Sequence, residues 1–208
     1  MKIIDNLKWR YATKKFDSSK KIDQSKIDLL KDAVNLTASS YGLQPYKVLI
    51  ITDPEIRQKL REAAWGQPQL TESSHVFLFC NFLNVGEKEV DSYLKLRADI
   101  NNLNAADSVE YGNSIKGQLS SLTPEQMVAW TSKQTYIALG TLLAAASELE
   151  IDSCPMEGFM REEFDKILGL NKKGLTASVM ATLGYRDSDD PFGKLAKVRK
   201  PLNDLFED

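Results

Sequence analysis

Four short segments hold the side chains able to do chemistry. Near the start, Arg10 and Lys14 bracket Tyr11, Ala12 and Thr13, so a guanidinium and an ammonium are separated by small or hydroxyl-bearing residues. That spacing suits a phosphorylated ligand, because arginine offers a planar fork to an oxyanion and lysine a point charge; it equally suits a solvated polar face. Near the end, Lys197 and Arg199 fall on one side of an extended chain, where they could clamp one phosphate or form a basic patch on a tail. Ser39, Ser40, Tyr41, Gly42 and Gln44 make a loop whose hydroxyls and amide could bond the edge of a heterocycle or simply join helix to strand. In Pro155, Met156, Glu157 and Gly158, the glycine could let a backbone N–H approach a flat ring, with Glu157 as an acceptor; the bland alternative is a turn.

Other chemistries are harder to build. His75 is the only histidine and opens a strand without carboxylates or thiols around it, which argues against a histidine-rich metal site and weakens any hydrolytic triad. There is no Gly-x-Ser-x-Gly elbow, no Gly-x-x-x-x-Gly-Lys loop and no Gly-x-Gly-x-x-Gly after a strand. With 27 basic and 29 acidic residues the net charge is -2, so no large field favours nucleic acid or an anionic membrane. Cys80 and Cys154 stand far apart and read as free thiols. Lys2, Asp5 and Lys8 interrupt any apolar signal region, and the longest apolar run, His75 to Leu83, is far below the roughly 20 residues of a membrane-spanning helix. A cytoplasmic protein of one domain, residues 1–208, is expected.

The elements that must position these groups follow from periodicity. Ile3, Ile4, Leu7 and Trp9 suggest a short helix that delivers Arg10 to Lys14 into a turn or extended segment. A second helix starts after Asp23, with Ile27, Leu30 and Val34 at helical spacing. Tyr46 to Thr52 reads as a strand, Asp53, Pro54 and Glu55 as a helix start, and His75 to Phe82 as a strand buried on both faces. Glu87 to Leu122 is weakly helical, with turn-prone Gly112, Asn113 and Gly117. Thr123, Pro124 and Gln126 then cap a long helix to about Glu150. Cys154 begins a strand end or turn, Phe164 to Leu168 make a helix stopped by Gly169, and Leu175 to Leu183 form the last strand. Past Gly184, Asp187, Asp189, Asp190, Pro191 and Gly193 break regular structure, yet Phe192, Leu195, Val198, Leu202 and Phe206 leave the tail too apolar to be a free linker.

Taken together and in order, the four segments resemble the flavin-binding signature of the FMN-dependent nitroreductase family over nearly the whole chain. Trp130, Lys133, Gln134 and Tyr136, the stretch Phe164 to Leu170, and Gly184, Tyr185 and Arg186 add to the resemblance. It implies an α+β nitroreductase-like fold, with a central mixed, mostly antiparallel sheet flanked by helices and a C-terminal tail extending onto a partner subunit. It also implies noncovalent FMN at the interface of a homodimer. In that pattern Arg10, Lys197 and Arg199 meet the phosphate, Lys14 the pyrimidine end of the ring, and Ser39 to Gln44 reach the flavin from the other subunit. Glu157 or Gly158 would offer N5 a backbone N–H. The implied reaction is ping-pong, with NADH or NADPH as donor and a nitroaromatic, quinone or similar electron-poor small molecule as acceptor.

Departures from the family pattern qualify this. Ala12 replaces a serine, Tyr11 a frequent histidine, and Gly42 a common asparagine, while Gln67 and Gln69 bring neutral amides where an asparagine and a lysine are usual. The resemblance therefore implies a flavin slightly harder to reduce. Relatives with other acceptors, such as an activated alkene, a pteridine or an aldehyde, stay open, as does a flavin-binding sensor or storage protein. Tyr41, Trp65 and Tyr111 are candidate aromatics of the acceptor pocket, and residues 87–122 its candidate lid.

Overall fold

The runs richest in Val, Phe, Leu and Ala become the centre of a sheet. In the computed structural model, which describes residues 1–104 and 108–207, β1 (Tyr46–Ile51), β2 (His75–Phe82), β3 (Asp152–Met156) and β4 (Leu175–Gly184) form one sheet in the order β1-β2-β4-β3. Each of its pairings is antiparallel. The parallel component is an isolated bridge between Ala12 and Ser153, which lays the segment after the first helix against the free edge of β3. β4 is buried at every position and β2 at all but its ends, as expected of central strands with both faces covered.

Alternate residues of β2 point to two different cores. Phe77 and Phe79 join Val179, Ala181 and Leu183 of β4 under Leu139, Leu142 and Ala146 of the long helix α7 (Pro124–Glu148), and under Ile27, Leu30 and Val34 of α2 (Gln24–Asn35). Val76, Leu78 and Cys80 face the opposite layer, with Leu60 of α3 (Pro54–Glu62), Leu70 of α4 (Gln69–Glu72) and Phe164 of α8 (Arg161–Leu168). A satellite core of Val90, Ile115, Leu119 and Met127 lies where α5 (Glu87–Asn101), α6 (Val109–Ser120) and the start of α7 meet. α7 starts where Thr123 and Gln126 exchange hydrogen bonds in a capping box, and α8 stops at Gly169 in the left-handed conformation.

Two expectations need correction. Gly112, Asn113 and Gly117 lie inside α6, not in a turn. The reason for Gly112 is close approach, since a Cβ there would sit 2.5 Å from Leu94 Cδ1 on α5. Cys154 does not begin a strand end but lies in the middle of β3, with Pro155 also inside the strand. Proline is tolerated there because β3 is an edge strand. The candidate lid resolves into α5 and α6, while its residues 105–107 lie outside the described residues.

The chain ends are the least covered parts. α1 (Lys2–Trp9) lies along α7, with Lys2 and Asn6 both bonded to Glu148, yet it buries none of its residues and leaves Ile3, Ile4, Leu7 and Trp9 exposed. Beyond β4 a short turn at Pro191–Lys194 leads to a tail with α9 (Leu202–Leu205), where Val198 is 89% exposed and Leu202 and Phe206 are also uncovered. Among the described residues no helix is long and apolar enough to cross a membrane.

Candidate cofactor site

α1 ends at Arg10, whose extended backbone carries the chain out of the helix and along β3. The Thr13 N–H donates to the Ser153 carbonyl at 3.2 Å, which fixes the register of the following cation. Lys14 Nζ reaches Cys154 Sγ at 3.7 Å. Burial pushes the Cys154 thiol up against the opposing pull of Lys14 and Arg10. Arg10 itself is half-buried, and its Nε has no hydrogen-bond partner. Burial lowers its pKa, Cys154 opposes the change, and the nearby Arg199 adds to it.

The C-terminal cations arrive at the same place. Lys197 donates to the Lys8 carbonyl at 2.6 Å, tying the tail to the end of α1. Its pKa falls through burial first and then through Arg10, Arg199 and Arg186. Like charges from the two chain ends thus disfavour one another here, an arrangement that a bound anion would stabilise. Arg186 is differently placed. It forms an ion pair with Asp152 at 2.6 Å and stands over the rings of Trp9 and Tyr11, at 4.4 and 4.7 Å from their centroids, so it braces the segment rather than extending the cluster.

A second group of predicted residues gathers just beyond β3. Gln67 Nε2 donates to the Gly158 carbonyl at 2.6 Å and to the Ala64 carbonyl at 3.0 Å, and the Met160 N–H donates to Ala63 O at 2.9 Å. Trp65, 68% exposed with a left-handed backbone at φ 54°, lies against Gly158, where a Cβ would come within 3.0 Å of its ring. Glycine is therefore needed at 158 for this approach. Gln69 is buried, and its Oε1 has no partner. Glu157 lies by the Tyr136 phenol, whose pKa is raised by burial first and then by that carboxylate. From Cys154 to Glu157 the chain advances about 10 Å at strand rise, which separates the cationic end from the Gly158 end. Pro155 and Met156 are the spacer between them.

The remaining predicted residues are not brought to this place within one chain. Tyr41, Gly42 and Gln44 all have positive φ, at 55°, 75° and 43°. Gly42 passes so near Tyr93 that a Cβ would lie 2.9 Å from its hydroxyl. The Ser40 N–H donates to Gln134 Oε1 at 2.8 Å, Tyr41 Oη to Gln118 Oε1 at 2.7 Å, and Gln44 to Ser39 Oγ and the Asn35 carbonyl. The loop is thereby pinned to α7, α6 and α2. Tyr41 also meets Trp130, with ring centroids 6.4 Å apart. Tyr111 stands on α6 with the Arg97 guanidinium 5.5 Å from its ring, within the candidate lid.

Sequence reasoning missed one residue that organises the cationic end. Asp190, read as a breaker of regular structure, is a buried carboxylate that accepts from Tyr11 and from the backbone of Lys14. Locally it shows only as an Asp-Pro cap that accepts from the Phe192 N–H, while its partners Tyr11 and Lys14 lie at the other end of the chain. Among the described residues no group of histidine, cysteine or carboxylate side chains could hold a metal.

Residues 7–185 match the profile of the Nitroreductase family. A Bacillus subtilis protein, YfkO, an NAD(P)H nitroreductase by name, is 36% identical over 219 residues that cover 99% of this chain and 96% of YfkO. Among solved structures, the fold is similar to that of the nitroreductase ydfN of Bacillus subtilis, with a TM-score of 0.89, 20% identity and coverage of 98% and 97% of the two chains. It is also similar to a nitroreductase of Exiguobacterium sibiricum solved in complex with FMN, with a TM-score of 0.83, 19% identity and coverage of 99% and 96%.

Proposed function

Since the chain belongs to the nitroreductase family, we propose that it is a cytoplasmic NAD(P)H-dependent oxidoreductase that holds FMN noncovalently and reduces nitroaromatics, quinones or similar electron-poor small molecules. The observation that carries this reading is the convergence of Arg10, Lys197 and Arg199 beside the edge of β3, with the Arg10 Nε buried and unpartnered. A phosphate monoester supplies the negative charge and acceptor oxygens that such a cluster lacks.

The residues present fit the rest of FMN. The unpartnered Oε1 of Gln69 is an acceptor for a ring N–H, and the glycine at 158 lets an aromatic ring lie against the backbone, as the Trp65 ring does here. Bound there, the cofactor supplies two-electron transfer between a nicotinamide donor and the acceptor. Lys14, fixed at its backbone and beside Cys154, places a positive charge where it stabilises developing negative charge without reacting. Gln67 holds the Gly158 carbonyl and so the peptide after Gly158, while the Phe159 N–H donates to the Glu157 carbonyl at 3.0 Å and so sets the peptide that carries the Gly158 N–H. Trp65, widely exposed and held over Gly158, offers the acceptor an apolar face.

We further read residues 1–208 as one domain that works as a homodimer. Among the described residues the apolar side chains of α1 and of the tail are left exposed, and the Ser39 to Gln44 loop is bonded to α7, α6 and α2 rather than to the cations of its own chain. Both are explained if a second copy buries the apolar surface and brings its loop to the cofactor. The deciding experiment is to purify the protein, release its chromophore with acid, identify it, and follow anaerobic bleaching by NADH and NADPH separately. FMN in equimolar amount to the chain and bleaching by at least one donor are expected. A different chromophore, or none after incubation with FMN, overturns the reading.

A further inference from the structure

We infer that Asp190 is a positioning residue for the cofactor phosphate, clipping the segment that bears Arg10 and Lys14 to the root of the tail that bears Lys197 and Arg199. This rests on the FMN reading above and deepens it. Asp190 is 3% exposed. Its Oδ2 accepts from the Lys14 N–H at 2.8 Å, the Lys15 N–H at 3.2 Å and the Tyr11 hydroxyl at 3.0 Å, while its Oδ1 accepts from the Phe192 N–H at 3.0 Å. One carboxylate thus collects donors from both ends of the chain.

The neighbourhood is shaped around that clip. A Cβ at Gly193 would lie 2.9 Å from the Tyr11 hydroxyl, so a side chain there would have to displace the phenol that bonds Asp190. The Tyr11 pKa is pushed up to about 12, by burial first and then by its bond to Asp190, which keeps the phenol a donor at working pH. Two neighbouring contacts run the same way: the Asp187 N–H donates to the Lys15 carbonyl at 3.0 Å, and Phe16 bridges Arg186. By contrast, the tail beyond this root is exposed, and among the described residues its hydrogen bond to the first helix is the one from Lys197 to the Lys8 carbonyl. The direction in which the tail leaves is therefore set at Asp190.

Asp190 also carries a negative charge at the backbone of Lys14 and Lys15, between the two cation-bearing segments, which gives the inference a sign. As a charge alone, Asp190 repels a phosphate, and its neutralisation would tighten FMN. As a clip, it presents the cations in a competent arrangement, and its loss weakens FMN by the fraction of time that arrangement is populated.

The test is to titrate FMN into the flavin-free full chain and into three variants at a temperature well below unfolding. Asp190→Asn, which keeps the shape but loses the charge and one acceptor oxygen, is expected to weaken FMN about tenfold, as for a competent state populated about one tenth of the time. Gly193→Ala, at an exposed position, is expected to weaken it in the same direction and decides the matter should Asp190→Asn fail to fold. Both variants should be cut faster by trypsin within residues 194–200 than the parent is when FMN is absent. Arg199→Ala serves as the reference for the FMN reading. If Arg199→Ala weakens FMN while both Asp190→Asn and a folded Gly193→Ala bind it as well as or better than the parent, the clip is refuted and the FMN reading stands. If Arg199→Ala changes nothing either, the phosphate assignment fails and the clip falls with it.

Discussion

Replacing Arg10 by methionine separates a ligand-binding guanidinium from a structural one. Methionine keeps an unbranched apolar stem in the half-buried site, so packing is largely preserved while the charge and its donors are lost. A hydrogen bond to a charged group contributes about 1.5–3 kcal/mol, and a factor of ten corresponds to about 1.4 kcal/mol. Loss of one phosphate contact should therefore weaken FMN by about 10- to 150-fold. The flavin-free chain should respond in the opposite sense. In it, Arg10 carries a buried Nε without a partner and lies close to Arg199 and Lys197, so removing it relieves an unsatisfied donor, a cost of about 1–3 kcal/mol, and a like-charge contact. FMN fluorescence quenching measures the first effect and urea unfolding of the flavin-free protein the second. An affinity within twofold of the parent would refute the phosphate assignment. A parallel loss of affinity and of flavin-free stability would show that Arg10 is a strut.

Other perturbations test the frame around the site. Leu142→Ala, at a fully buried position between α7 and the sheet, should cost about 2–5 kcal/mol in urea unfolding, whereas a loss below about 1 kcal/mol would mean that the core there is loosely packed. Gly112→Ala should destabilise the pairing of α5 and α6, because overpacking against Leu94 at about 1–3 kcal/mol outweighs the gain of about 1 kcal/mol in helix propensity; a rise in melting temperature would reverse that ranking. His75, as the only histidine, can be titrated by NMR without ambiguity, and burial, then Arg57, Lys21 and Lys31, should hold its midpoint below 6.5. The unfolded chain then binds more protons between the two midpoints, so stability should rise with pH through that window and decline on acidification. A midpoint above 6.5 would contradict the electrostatic picture of that surface.

Legibility in the sequence followed the range of the interactions. β2 and the start of α7 could be read because burial on two faces demands a continuous apolar run and because Thr123, Pro124 and Gln126 solve a local capping problem. β3 could not, since Asp152, Ser153, Cys154 and Pro155 are poor strand formers held in place by β4 and by the segment at Ala12. Gly112 looked like a turn residue because the reason for it, Leu94, lies on another helix. The cations of the site were visible at both ends of the chain, and their meeting place was implied by resemblance. What brings them together was not visible, as Asp190 lies 176 residues from Lys14 and its one local signal, an Asp-Pro cap, says nothing of a distant partner.

The joining of the two chain ends also orders events in time. The sheet is complete once Gly184 has been made, and both of its cores can close around α7 and α8 by then. Arg10 and Lys14 leave the ribosome among the first residues, but Asp190, Lys197 and Arg199 emerge only after the last strand. A chain that stops after Gly184 therefore has a complete sheet with two of its three proposed phosphate anchors missing. Loading of the cofactor is thereby deferred until the tail has been made, and truncation a dozen residues into the tail is expected to leave a well-formed protein that stays colourless.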